Sequence, residues 1–272
     1  MKSLSCLVHS VLFAFVFIAG CKKNEVVPQS NFFGNQCRIT RIIFNNRPYL
    51  ASYDENNNLR GLGPGLNKEG QQYIFEFSGE RLMKVDYVLS QNKPETIVQY
   101  EYGPFGLNLV RRFAFRPDLN NPLPMIERTR CEFAYDNEIN KPVSLKVFSN
   151  NSDSTNFPDD FKLATTRNYE FDKSGNLVKE TVFGVTDQGK TPFSYILKHL
   201  YDNHLNSGRP LYYMLYGGQD SGSYLFSENN KVATEKFMFG DSSKIRYNVK
   251  YDGNGQVVDD GFMFSGIKWK CE

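Results

Sequence analysis

The feature that most constrains this chain is a turn signal that keeps returning. An aromatic residue is followed by Asp or Ser, then by Gly or Asn three positions on, then by an aliphatic residue two further. It occurs at Tyr53-Asp54 with Asn57 and Leu59, and at Phe171-Asp172 with Gly175 and Leu177. It recurs at Phe226-Ser227 with Asn230 and Val232, and at Tyr251-Asp252 with Gly255 and Val257. A short Asp side chain accepts from the free N–H groups of a tight turn, and Gly or Asn tolerates the positive φ of a type I turn closed by a bulge. Asp54, Asn57, Asp172, Gly175, Asp252 and Gly255 are therefore the turn-defining residues. Looser copies stand at Phe77-Ser78-Gly79, Tyr102-Gly103, Tyr135-Asp136 and Tyr201-Asp202, which puts leading aromatics at 53, 77, 102, 135, 171, 201, 226 and 251. Separations of 24 to 36 residues make an internal repeat, one hairpin plus a return loop per unit.

The flanks alternate as strands do. Tyr73, Phe75 and Phe77 share one face, as do Ile245, Tyr247, Val249 and Tyr251, and after one turn Leu177, Thr181 and Phe183 are set against Val178, Glu180 and Val182. The 23 Phe and 16 Tyr favour strands, and no capped helical stripe interrupts them. The expectation is an all-β antiparallel meander of about 14–16 strands, closed or strongly curled into a barrel-like single domain, because long open edges invite aggregation.

The ends carry a different signal. Lys2 and the apolar run Val11 to Gly20 lead into Ile18-Ala19-Gly20-Cys21, which resembles a bacterial lipobox. The resemblance implies a signal peptide over 1–20, lipidation at Cys21 and membrane attachment through that lipid, with a polar tether over 21–36 and the domain over 37–272. The Tyr-Asp-x-x-Gly-x-Leu turn is similar to the YD repeats of Rhs-type and teneurin-type β shells. The whole layout, with Cys37-Arg38-Ile39-Thr40 after the tether, resembles a Bacteroidota outer-membrane lipoprotein family of unknown function labelled porin-like. It implies an outer-membrane location and carries over no catalytic residue. With Glu25 the one early acid after Cys21, the periplasmic face is preferred to the cell surface.

Charge and chemistry bound the rest. There are 32 basic and 30 acidic residues, a formal net charge of +2, which gives no drive towards nucleic acid. Cys37 opens the first strand and Cys271 ends the last, so a disulfide between them suits an oxidising envelope, while Cys131 alternates with Phe133 and Tyr135 as a buried thiol. His199 and His204 lack metal-ligand spacing, so no metal and no cofactor is expected. Asp259 and Asp260 are adjacent and so cannot converge on a strand; they read as solvated loop charges. Asp153-Ser154-Thr155 resembles an O-glycosylation sequon at Ser154. "PLYYMLYGG" reads as a strand apolar on both faces; Tyr212, Tyr213 and Tyr216 belong to the core or else line a stacking surface.

The functional expectation is a lipid-anchored, non-catalytic envelope domain that binds a protein or glycan partner or serves as an accessory part. Two alternatives stay open: a glycan-acting hydrolase with carboxylates from separate strands, and a small transmembrane barrel. Arg111, set among Leu107, Leu109 and Phe113, interrupts the band that a barrel would turn to lipid.

Overall fold

The structure is a computed structural model that describes residues 37–271 except 56–58, 65–71, 80, 89–93, 115–125, 137–140, 151–159, 186–191 and 217–221. The signal peptide, Cys21, the tether, Asn57 and Ser154 lie outside the described residues. The elements in chain order are β1 (Cys37–Phe44), β2 (Arg47–Tyr53), β3 (Leu59–Gly63), β4 (Tyr73–Ser78), β5 (Arg81–Val88), β6 (Pro94–Gly103), β7 (Gly106–Ala114), β8 (Ile126–Tyr135) and β9 (Pro142–Asn150). There follow β10 (Phe161–Phe171), β11 (Leu177–Val185), β12 (Pro192–Leu205), α1 (Arg209–Tyr216), α2 (Gly222–Leu225), β13 (Asn229–Met238), β14 (Asp241–Arg246), β15 (Lys250–Tyr251), β16 (Val257–Asp259) and β17 (Phe264–Cys271).

Fifteen strands form one antiparallel sheet in the order β14 to β1 and then β17, and β15–β16 make a separate two-stranded sheet. The meander is thus as expected, but with 17 strands among the described residues and with β14 and β17 as two ends that do not pair with each other. Full closure would have removed both edges. The Cys37–Cys271 disulfide joins the first and last strands, whose residues 37 and 271 are register partners.

The repeat has a common geometry. At Asp172 the carboxylate accepts from the Asn176 N–H at 2.8 Å, the Asp172 N–H donates to the Asn176 carbonyl at 2.9 Å, and Gly175 has φ 83°. Asp252 repeats this with the Gln256 N–H at 2.9 Å, the Gln256 carbonyl at 2.9 Å and Gly255 at φ 77°. Beyond each turn the ladder skips one residue. Phe171 pairs with Leu177 and Glu170 with Lys179, which leaves Val178 as a bulge. The same skip follows Tyr53–Leu59, Phe77–Leu82, Tyr102–Leu107, Tyr135–Pro142 and Tyr251–Val257. A one-residue bulge moves every later side chain to the other face. Leu177 therefore shares the inner face with Glu180 and Val182, while Thr181 and Phe183 turn out, a correction to strict alternation from Leu177. Tyrosine hydroxyls then tie one hairpin to the one before: Tyr102 donates to the Leu82 carbonyl at 2.8 Å and Tyr201 to the Leu177 carbonyl at 2.6 Å.

Two of the eight signals behave differently. Tyr201-Asp202 does not turn; β12 runs on to Leu205, and Tyr201 pairs with Lys231 across the same one-residue skip. Phe226 ends no strand: it follows α2 and leads into β13. Residues 206–228 are thus one long insertion inside the β12–β13 hairpin, and its described residues form α1 and α2. "RPLYYMLY" forms α1 rather than the expected strand. Pro210 fits the first turn of a helix, where its missing N–H costs nothing, and a segment apolar on every side is buried as readily in a helix as in a strand.

The insertion fills the core. Leu211, Tyr212, Tyr213, Met214, Leu225 and Phe226 are each at most 1% exposed. Phe226 packs edge-on against Phe133 of β8 at 5.6 Å and tilts over Tyr169 of β10 at 6.0 Å. Tyr212 meets Phe264 of β17 at 5.0 Å, and the Tyr100 hydroxyl of β6 donates to the Tyr213 carbonyl. Tyr212 and Tyr213 are therefore core residues and line no exposed stacking surface, because the helix turns both into the sheet's aromatic face.

Candidate functional site

Beneath the insertion the inner face turns polar. The bulge at Val178 carries Glu180 inward, beside Arg167 of β10 and His199 of β12. Arg167 donates to one Glu180 oxygen at 3.1 Å, and His199 Nε2 lies 2.9 Å from the other. His199 Nδ1 lies 3.0 Å from the Thr234 hydroxyl of β13, which accepts from the Tyr247 hydroxyl at 3.3 Å. Glu180 is 1% and His199 4% exposed. Burial pushes the Glu180 carboxyl up, but the His199 hydrogen bond and the Arg167 charge outweigh it and hold the group well below the usual carboxylate range. Burial also lowers His199, against the pull of Glu180. A neutral imidazole that donates from Nε2 to Glu180 and accepts at Nδ1 from Thr234 satisfies every partner.

Lys231 is the second element. In six of the bulged hairpins the residue opposite the aromatic is Leu59, Leu82, Leu107, Pro142, Leu177 or Val257; in the seventh it is Lys231. Its ammonium lies 3.7 Å from the centre of the Tyr224 ring and 4.9 Å from that of Tyr247, and donates to Ser223 Oγ at 2.9 Å. Burial pulls its pKa down to about 7, against the Glu180 and Asp260 charges, which raise it. α2 supplies Ser223 and Tyr224, so the insertion brings with it the cage for the lysine that replaces the usual aliphatic.

Asp260 completes the cluster and overturns its reading as a solvated charge. It is 6% exposed, and one oxygen accepts from the N–H groups of Phe262, Met263 and Phe264 at 2.8, 2.7 and 3.0 Å. The other accepts from the Tyr212 hydroxyl of α1. Burial raises its pKa in spite of these bonds. Asp259 does face solvent, 3.2 Å from Lys250.

Hydroxyl, imidazole and carboxylate thus stand in the order of a nucleophilic relay. Thr234, however, is 8% exposed, and three described surface clefts are lined by other residues. The arrangement clamps β10 to β13 and docks the insertion on them. Elsewhere, His204 is half exposed and stacks on Tyr251 at 4.1 Å. Among the described residues no group of three or more His, Cys, Asp or Glu is placed to hold a metal ion. Of the turn-defining residues, Asp172 and Gly175 shape the loop on which the end of the insertion rests, with Asn176 donating to Asn229 Oδ1 and the Leu177 N–H to Ser227 Oγ, both at 3.0 Å, while Asp252 and Gly255 shape the turn between β15 and β16.

Sequence reading missed Arg167, Glu180, Lys231 and Thr234. A signal existed for Lys231, since pairing Tyr201 instead of Phe226 with the return strand puts a lysine where the repeat has an aliphatic. The Phe226-Ser227 spacing concealed it.

The sequence matches no family model and no curated protein. Among solved structures it is similar to a chain of the Photorhabdus luminescens Tc holotoxin pore, with 11% identity and a TM-score of 0.34, covering 78% of this chain and 10% of that one. A chain of the TcdB2–TccC3 crystal structure gives 12% identity and a TM-score of 0.26, again over 78% and 10%. This chain spans about a tenth of the length of either.

Proposed function

We propose that this chain is a lipid-anchored, non-catalytic binding or accessory domain of the cell envelope, attached to the outer membrane through Cys21 on its periplasmic face. The observation that carries the reading is the Cys37–Cys271 disulfide. Such a bond persists in an oxidising compartment, which a leader ending at Cys21 would supply. The non-catalytic part rests on the burial of the relay-like cluster found among the described residues. A transmembrane barrel is disfavoured because outward positions carry cross-strand ion pairs, Glu170–Lys179 and Glu101–Arg111 among them, where lipid would demand an apolar band.

We further propose that the sheet curls around the insertion. Fifteen strands laid flat span roughly 65 Å, yet Tyr212, Tyr213 and Phe226 between them touch β6, β8, β10 and β17. A strongly curved wall around a helical plug reconciles the two.

Expression in a diderm bacterial host with labelled palmitate tests the assignment. The expected outcome is label on the wild type and none on Cys21→Ser, with a single reactive thiol, Cys131, in the denatured, unreduced protein. Unlabelled wild type, or three reactive thiols, would overturn it.

A further inference from the structure

We propose that the free edge of β14 is a docking site for an extended peptide that presents two acids and then an aromatic residue at every second position. The two sheet ends differ in kind. β17 meets β1 with two register shifts and a Gly266 at φ 55°, irregularities that blunt an edge. β14 pairs with β13 through six unshifted positions, and all six of its residues are exposed. The strand starts from a two-residue turn, Phe239 (φ 52°) and Gly240 (φ 89°), closed by Met238 opposite Asp241. Alternation from that closing pair directs the backbone N–H and C=O groups of Ser242, Lys244 and Arg246 away from β13. These are the groups an added strand would engage.

The side chains beside that edge specify the guest. On the outer face a row of register partners, Thr181, Ile196, Phe237 and Ser242, crosses four strands and ends on the smallest of them. Phe183, Met238 and Phe239 complete an open groove of about 410 Å³ over this row. Phe239 is 78% exposed. An apolar side chain opposite Ser242 would extend the row and cover the groove. The next two positions on the same face are Lys244, already paired with Glu235, and Arg246, which makes no ion pair among the described residues. Both call for acids. Read antiparallel to β14, the guest runs acid, any residue, acid, any residue, aromatic. A second copy of this chain offers Ser, Lys and Arg at these positions and no acid, so self-pairing lacks the complement. The proposal does not depend on the lipid at Cys21.

The test is a fluorescence-anisotropy titration of the full chain with labelled Thr-Glu-Val-Glu-Thr-Phe-Lys-Thr. Saturable binding is expected. Ser242→Pro and Lys244→Pro remove outward N–H groups and none that pairs with β13, the latter with its ammonium as well, so both should fold and weaken binding by about tenfold or more. Arg246→Glu should weaken it by about three- to tenfold and regain it with a peptide carrying Lys in place of Glu. That charge swap decides the matter even if the proline variants do not fold. No saturable binding, equal affinity for a control peptide of the same composition in scrambled order, no loss on Arg246→Glu, or a β14-dependent dimer that the peptide cannot compete away would overturn the proposal.

Discussion

Two hairpins of one repeat show what this fold permits. The Phe171 hairpin closes in a few residues, with Leu177 opposite its aromatic and Asp172 holding the turn. The Tyr201 hairpin keeps the aromatic, the one-residue skip and the hydroxyl bond to its predecessor, but opens its turn to admit two helices and puts Lys231 opposite Tyr201. The repeat is thus defined by the bulged pair and not by the loop beyond it. The loop grows freely because closure entropy rises only slowly with length. In return the insertion must bury itself, and it does so by supplying the aromatic core that the other hairpins share.

The largest effect is expected where the residue opposite the aromatic is exchanged between the two hairpins. Leu177→Lys puts an ammonium at the inner position of a hairpin without a ring cage and should cost about 3–5 kcal/mol in urea denaturation. An effect below about 1 kcal/mol would mean that the position is not special to the Tyr201 hairpin. Glu180→Ala should cost about 3 kcal/mol, because it leaves Arg167 and His199 facing each other across a buried gap. Glu180→Gln, which keeps the shape, should recover part of that loss.

Lys231→Met tests the other side, with a gain of about 2 kcal/mol below pH 7. The sign follows from the proton count. The folded lysine titrates near 7 and the unfolded one near its ordinary value of 10.5, so between these the unfolded chain binds the extra proton. Wild-type stability therefore climbs with pH across that window, and the variant should lose most of the climb between pH 7 and 9. His199, lowered by burial, adds to the loss of stability as pH falls through its unfolded value near 6.5, and Asp260, raised by burial, has the opposite sign at lower pH. Smallest of all, Asp172→Ala and Asp252→Ala should each cost about 1 kcal/mol and by similar amounts, since their turn geometries match.

Much of the architecture was legible because turn chemistry is local. Asp172 with Gly175, and Asp252 with Gly255, announce bends through side-chain capping and positive φ, and those bends sit where the spacing puts them. Faces were less legible: a bulge is a skip in pairing, so Glu180 moves inward only once Val178 is set aside. The insertion was legible in neither type nor place. Tyr212 to Leu215 are buried on every side, so periodicity cannot distinguish helix from strand, and Phe226-Ser227 imitates the repeat by spacing alone. The buried network followed neither from motif nor from composition, because Arg167, Glu180, His199 and Thr234 meet only through the bulged register of β10 to β13, and Asp260 joins them from beyond β16.

The insertion in the Tyr201 hairpin is the core of the meander and not an appendage. Native-state hydrogen exchange tests this most directly. Amides of α1 at residues 211–215 should open only with global unfolding, at the same free energy as those of β6 and β8 and with the same denaturant dependence. Exchange of α1 many orders of magnitude faster than β6, with the sheet still protected, would make the insertion an appendage.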